Sequence, residues 1–228
     1  MPLQLFAETV YQNANVITVD PRNPRAQAVA ILDGKFVGVG SNDDIEGLVG
    51  PTTRVIDARG LTVIPGLIDA HIHVLSSGIR HVMAADCDQR SIAAIQSELR
   101  ARVERASPGD WIEGFKFDDT KTAERRFLNR RDLDAVSTDL PILVSHRAGH
   151  VYYLNSKALE LSGYDDTSPD PHGGRLGRDP DTGVLDGGVY ERAIEPLRGL
   201  LPQVTSAVRR GGVRAICQML TASGAPRG

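Results

Sequence analysis

The spacing of apolar positions changes character along the chain. Over the first third, apolar residues come in short β-branched bursts, as in "TVYQNANVITV" (Thr9 to Val19), and Pro21 and Pro24 break the pattern in "DPRNPR". "AVAILDGKFVGVG" places Val29, Ile31, Phe36 and Val39 on either side of Asp33-Gly34, a strong two-residue hairpin signal. "RVIDARGLTVIPGLIDAHIHV" adds further strand-like runs, with a turn at Gly60 and a bend at Pro65-Gly66. The pattern predicts a β-rich layer over residues 1–62 and a further strand within residues 63–75.

The period then lengthens. Ile92, Ile95, Leu99 and Val103 fall at helical spacing behind Ser91, a good N-cap, and Pro108-Gly109 stops the helix. "DWIEGFKF" and "LPILVSH" read as strands. "NRRDLDAVSTD" reads as a short helix capped by Asn129, and "NSKALELSG" as a helix from Asn155 to a stop at Gly163. Ser168 to Gly188, dense in Gly, Pro and Asp, is expected to be a loop with one hairpin around "DPDTG". The final segment, 201–228, has a helical pattern interrupted by Gly211-Gly212, each costing about 1 kcal/mol relative to Ala, and ends in "GAPRG".

Composition narrows the class without naming a chemistry. The 228 residues, 41% hydrophobic and 24% charged, suit a soluble globular chain of one large or two small domains. A formal charge of −3 gives no general reason to expect nucleic acid or an anionic membrane as a partner. Cys87 and Cys217 follow no metal or redox spacing, which makes a reducing cytoplasm the expectation. The N-terminus lacks the basic and apolar regions of a signal peptide. The uncharged run Leu61 to Ile68 is too short to cross a bilayer. P-loop, G-x-G-x-x-G and G-x-S-x-G motifs are absent.

The candidate chemistry is in "DAHIHV". On a strand, residues i and i+2 face the same way, so His71 and His73 could both reach one Zn²⁺ at about 2.0–2.1 Å. A bare H-x-H is more often two half-exposed surface histidines. Asp69 is either a carboxylate that orients an imidazole or a turn residue. His150 suits a metal, a substrate oxygen, or burial with backbone partners. Glu191 reads first as an acid in the first turn of a helix. His81 and His146 read as surface or locally bonded residues, His172 as exposed, Asp118-Asp119 as a solvated loop pair, and Trp111 as a core anchor.

Several segments in order resemble one family. "AILDGKFVGVG" through "RVIDARGLTVIPGLIDAHIHV" resembles the N-terminus of the amidohydrolase superfamily. "GDWIEGFKFDD", "LDAVSTDLPILV", "GHVYYLNSKALELSG" and "GGRLGRDPDTG" with the following "ERA" resemble its family-3 members, the group that includes N-substituted formamide deformylase. The resemblance runs from about residue 8 to about residue 224.

It implies an α/β fold with a β-rich N-terminus, an incomplete metal-dependent hydrolase. Its parts would be a portion of a β-sandwich (1–62), the first strand of a (β/α)8 barrel with the H-x-H (63–75), an α+β insertion domain (76–200), and a helix leading to a second barrel strand (201–228). It also implies that one or two divalent metals, zinc being the expected ion, polarise a carbonyl and activate water to hydrolyse a non-peptide carbon–nitrogen bond. His71 and His73 match the first-strand ligands, His150 a histidine lining the substrate pocket, and Glu191 an acid that approaches the metal. No catalytic residue is matched, because the family's general-base Asp belongs to a later barrel strand and a barrel alone takes about 250 residues. The expectation is therefore the N-terminal part of an amidohydrolase, cytoplasmic and inactive in isolation. It would act on a small amide-type substrate, with no nucleic-acid or membrane partner; a homo-oligomer is compatible. The rival expectation is a non-catalytic binding or assembly module, or a truncated pseudo-enzyme.

Overall fold

The computed structural model of the chain describes residues 5–224. The "APRG" that ends the sequence lies outside the described residues. The chain divides into two compact units, residues 1–70 with 224–228, and residues 71–223.

The first unit is the β-rich layer. Its strands are β1 (Thr9–Gln12), β2 (Asn15–Ile17), β3 (Arg25–Ala26), β4 (Ala28–Leu32), β5 (Lys35–Gly40), β6 (Arg54–Asp57) and β7 (Thr62–Val63). They form a four-stranded sheet of order β5-β4-β1-β6 and a three-stranded sheet of order β3-β2-β7. The hairpin falls where Asp33-Gly34 places it: the two residues have φ of 50° and 70°, as a type I′ turn requires. A short helix, α1 (Asn42–Glu46), was not read from the pattern. It is held by a capping box in which Ser41 Oγ accepts from the Asp44 N–H at 3.1 Å and Asp44 accepts from the Ser41 N–H at 2.8 Å. α1 lays Ile45 onto Ala7, Val10, Ala28 and Ala30.

The strand expected to carry the histidines is shorter than its pattern suggests. Regular pairing ends at Val63, opposite Val16 of β2, and beyond it only Ile68 makes an isolated bridge. Pro65 has no N–H to offer a ladder. Leu61, Ile64, Leu67 and Ile68 are 71%, 55%, 56% and 73% exposed, so the burial that drives an apolar run into a sheet is missing here.

The second unit is built on a six-stranded sheet. Its elements are α2 (Val74–Met83), β8 (Ala85–Asp86), α3 (Ile92–Val103), β9 (Ile112–Phe117), α4 (Arg130–Asp134), β10 (Ile142–His146), β11 (Val151–Leu154), α5 (Ser156–Ser162), β12 (Gly174–Arg178), β13 (Leu185–Glu191), a 3₁₀ turn (Arg192–Ile194), α6 (Glu195–Arg198) and α7 (Ser206–Ala222). The sheet order is β12-β13-β11-β10-β9-β8. β8, β9 and β10 are parallel; β11, β13 and β12 continue antiparallel.

The expected caps hold. Ser91, Asn129 and Asn155 each accept a hydrogen bond from a backbone N–H in the first turn of their helices, and Gly163 ends α5 with φ 77°. Both sheet faces are covered. Ile95 and Leu99 of α3 join the core of Phe117, Val144 and Tyr153, while Leu159, Ile194 and Leu197 join that of Leu143 and Val189. Trp111 is a partly buried member of the second of these cores.

The glycine-rich stretch Ser168–Gly188 departs from the expected loop, while the expected C-terminal helix forms despite its paired glycines. Within Ser168–Gly188, the hairpin around "DPDTG" is present, but the flanking residues are strands β12 and β13. Their glycines serve close packing. A Cβ on Gly174 would lie 2.3 Å from the Ala193 nitrogen, and one on Gly187 2.4 Å from the Leu154 carbonyl oxygen. α7 likewise runs unbroken through Gly211-Gly212. Gly212 is buried where α7 crosses α2, and a Cβ on Gly78 would stand 2.1 Å from the Gly212 carbonyl oxygen. Gly211 faces open space.

The two neighbouring glycines of α7 should therefore respond oppositely. Gly78→Ala or Gly212→Ala forces the helices apart and should lower stability by about 1–3 kcal/mol or more. Gly211→Ala should raise it by up to about 1 kcal/mol. Thermal and urea denaturation check both signs; equal effects of alanine at 211 and 212 would refute the tight crossing.

Candidate functional site

His71 and His73 lie in the irregular segment that leads into α2, so the strand geometry expected for them is not what brings them together. His73 occupies the N-cap position of α2 with φ −99° and ψ 64°, and its ring is not used to cap the helix. Both residues are exposed, and their ring centres are 5.3 Å apart in an edge-on arrangement. Two imidazoles sharing one tetrahedral ion at about 2.0–2.1 Å would have ring centres about 5 Å apart. The separation of the rings is compatible with a shared ion.

His150 and Glu191 meet each other instead. β11 pairs with β13, Val151 opposite Tyr190, so the residues just beyond that pair are adjacent. His150 Nδ1 lies 3.2 Å from Glu191 Oε2, and the Glu191 N–H donates to the His150 carbonyl at 2.9 Å. An ionised carboxylate only accepts, so Nδ1 donates and Nε2 is left as the ring's open position. The side chains are 67% and 60% exposed, and an exposed pair of this kind adds about 0–1 kcal/mol at most.

Glu191 is not in the first turn of a helix. It ends β13 and has φ 51° with ψ −122°, a backbone conformation favoured by glycine. Such a position costs on the order of 1–3 kcal/mol and persists only where its surroundings enforce it. Here the flanking strands do so: Gly174 of β12 pairs with Glu191 on one side and His150 on the other. Among the described residues, Glu191 does not join His71 and His73 in a cluster of three potential metal-ligand atoms.

The cluster that does form is Asp118, Asp119 and His146, at the ends of β9 and β10. Its bonds are already committed. Asp118, only 6% exposed and not a solvated loop residue, accepts from Arg147 Nη1 at 2.7 Å and from the Thr120 hydroxyl at 2.7 Å. His146 Nδ1 accepts from the Ala148 N–H at 3.2 Å, so Nε2 carries the proton and donates to Asp119 at 3.1 Å. A metal would need that nitrogen deprotonated and Arg147 displaced. The group acts as a polar clasp holding two strand ends.

The Arg147 hydrogen bond, with those of Thr120, keeps the Asp118 carboxyl well below the usual carboxylate range. Sequence reading could not pair Arg147 with Asp118, which are 29 positions apart. His81 stacks edge-on against Phe115, at 5.0 Å between ring centres, and burial holds its pKa down. His172 is exposed, as expected.

Comparison with known proteins places these features in a family. The model of the amidohydrolase family matches residues 54–226. N-substituted formamide deformylase of Arthrobacter pascens is 37% identical over 171 residues, 73% of this chain and 31% of the deformylase. Exoenzymes regulatory protein AepA of Pectobacterium carotovorum is 32% identical over 176 residues, 75% of this chain and 37% of that protein. The crystal structure of an uncharacterized metal-dependent hydrolase from Pyrococcus furiosus shares the fold with a TM-score of 0.57 at 20% identity, over 96% of this chain and 43% of that one. The chain thus spans about a third of the length of the two curated relatives.

The clasp carries a pH dependence of defined sign. Because the folded pKa of Asp118 is lowered, its stabilisation is complete above the unfolded value of about 3.9 and is lost as pH falls from there through the folded value. Arg147→Gln removes the leading cause. Urea midpoints of this variant should fall less steeply below about pH 4 than those of the parent; parallel profiles would show the pair to be without effect.

Proposed function

Because this chain belongs to the amidohydrolase family, we propose that it carries the first metal-ligand pair of a hydrolase that cleaves non-peptide carbon–nitrogen bonds. The observation that carries the reading is the spacing of His71 and His73, whose ring centres, 5.3 Å apart, suit one shared ion. A divalent ion held by them, zinc in this reading, supplies the Lewis acidity that polarises an amide carbonyl and lowers the pKa of water. The barrel to which they would belong is a (β/α)8 barrel, with the general-base Asp on another of its strands.

His150 and Glu191 have a different task in this reading. Glu191, which the resemblance implied to approach the metal, holds the His150 ring with Nδ1–H directed to its carboxylate. That leaves Nε2 to accept a hydrogen bond from the substrate. Strain at an exposed Glu whose ion pair adds little to stability supports a functional reason for its position. The substrate class is a small amide-type molecule, by likeness to the formamide deformylase. A net charge of −3 supports no nucleic-acid partner. Two free cysteines, Cys87 buried and Cys217 exposed, support a reducing cytoplasm. Among the described residues, no helix is long and apolar enough to cross a membrane.

A catalytic zinc usually takes three protein ligands and a water, and the described residues bring no third ligand atom to the pair. The 228-residue chain should bind zinc or manganese weakly and hydrolyse no N-formyl or N-acyl amine. Calorimetry should show affinity reduced about ten-fold or more in His71→Ala and in His73→Ala, with unchanged circular dichroism. Metal-dependent turnover that vanishes in His71→Ala would overturn the expected inactivity. Equal metal binding by the parent and both variants would remove the ligand assignment. It would favour the rival reading of a binding or assembly module, which the second unit's own two-sided core supports.

A further inference from the structure

The second unit contains a cavity of about 150 Å³ on one face of its sheet, apart from the histidines. Glu113 of β9, Ser145 of β10 and Tyr152 of β11 line it, with Arg80 of α2 and Arg198 of α6; Leu143 and Ile194 are among its apolar walls. We propose that this cavity binds a small α-amino acid, its carboxylate on the two arginines and its ammonium on Glu113.

The placement of Glu113 is the first reason. β9 puts Ile112 and Phe117 into the α3-side core, while Glu113 projects to the cavity on the other face. A carboxylate taken partly out of water needs a partner. Arg80 acts on it only through its charge, and among the described residues no hydrogen bond reaches it; burial accordingly pushes its pKa up. Half-buried Glu113 and the exposed Arg80 and Arg198 thus line one small space, and among the described residues no ion pair joins them.

The hydroxyl groups sharpen the specificity. Ser145 Oγ donates to the Gly114 carbonyl at 3.3 Å, and the Tyr152 hydroxyl donates to the Gly149 carbonyl at 3.3 Å. Both protons are therefore engaged, and each oxygen has lone pairs left to accept. Donors for a ligand come from the guanidinium groups, whose planar fork suits a carboxylate. Acceptors come from Glu113 and the hydroxyls. That division matches a zwitterion. The volume is that of about five water molecules, room enough for glycine or alanine.

Titrate the ¹⁵N-labelled 228-residue chain with glycine and alanine, and in parallel with acetate and ethylamine, each of which carries one of the two charges. Glycine or alanine should shift amides of Glu113, Ser145 and Arg198 saturably, and acetate and ethylamine should bind about ten-fold more weakly or worse. Glu113→Gln and Arg198→Gln should each weaken glycine about ten-fold or more while melting at or near the parent temperature. Acetate binding as tightly as glycine, no saturable shift with either amino acid, or variants that bind like the parent would each overturn the proposal. If a variant does not fold, the comparison of the four ligands on the parent chain decides.

Discussion

The parallel pairing of β9 with β10, the latter buried on both faces, is the constraint on which the second unit depends. Ile142 to Ser145 are buried without exception. A strand that meets apolar side chains above and below has no solvent face on which to slip in register. α3 is seated by the side chains on one face, and α5 and α6 by those on the other. β11 and β13 extend the same sheet antiparallel, which carries the order outward from the buried pair.

That topology gathers the polar chemistry at one end of the sheet. β9 and β10 run parallel, so Asp118-Asp119 and His146-Arg147 emerge side by side. β11 returns antiparallel, so His150 begins at that same end, and β13 brings Glu191 back to it. The clasp occupies its own donors and acceptors, whereas the His150–Glu191 pair remains open to solvent with one strained backbone. Polar groups of similar type thus have opposite standing: one set is consumed in holding strands, the other is exposed to solvent. His71 and His73 are brought together by the segment entering α2.

Much of this was legible from local chemistry. The Asp33-Gly34 turn, the caps at Ser91, Asn129 and Asn155, and the stop at Gly163 each depend on groups within a few residues, so the pattern alone specifies them. The reading of Ser168–Gly188 as a loop failed because its glycines were taken at their intrinsic propensity. Gly174, Gly187 and Gly212 suggest loop or breakage in isolation, yet each marks a place where another backbone comes too near for a side chain. The apolar run Leu61 to Ile68 failed in the other direction. It has the composition of a buried strand, but a strand forms only where partners take up its hydrogen bonds and cover its faces, and here those side chains are exposed.

The sequence by itself determined the residue types that can do chemistry, the local turns and caps, and the family, because these are recorded in short stretches whose meaning is independent of distant contacts. Tertiary structure alone decided which polar residues are spent and which are open. Asp118 is committed because Arg147 arrives from another strand, Glu191 is strained because two strands hold it, and Glu113 lines one cavity with two arginines. Those outcomes depend on pairing over tens of residues, where small differences in burial and distance decide whether a charge is neutralised or left exposed.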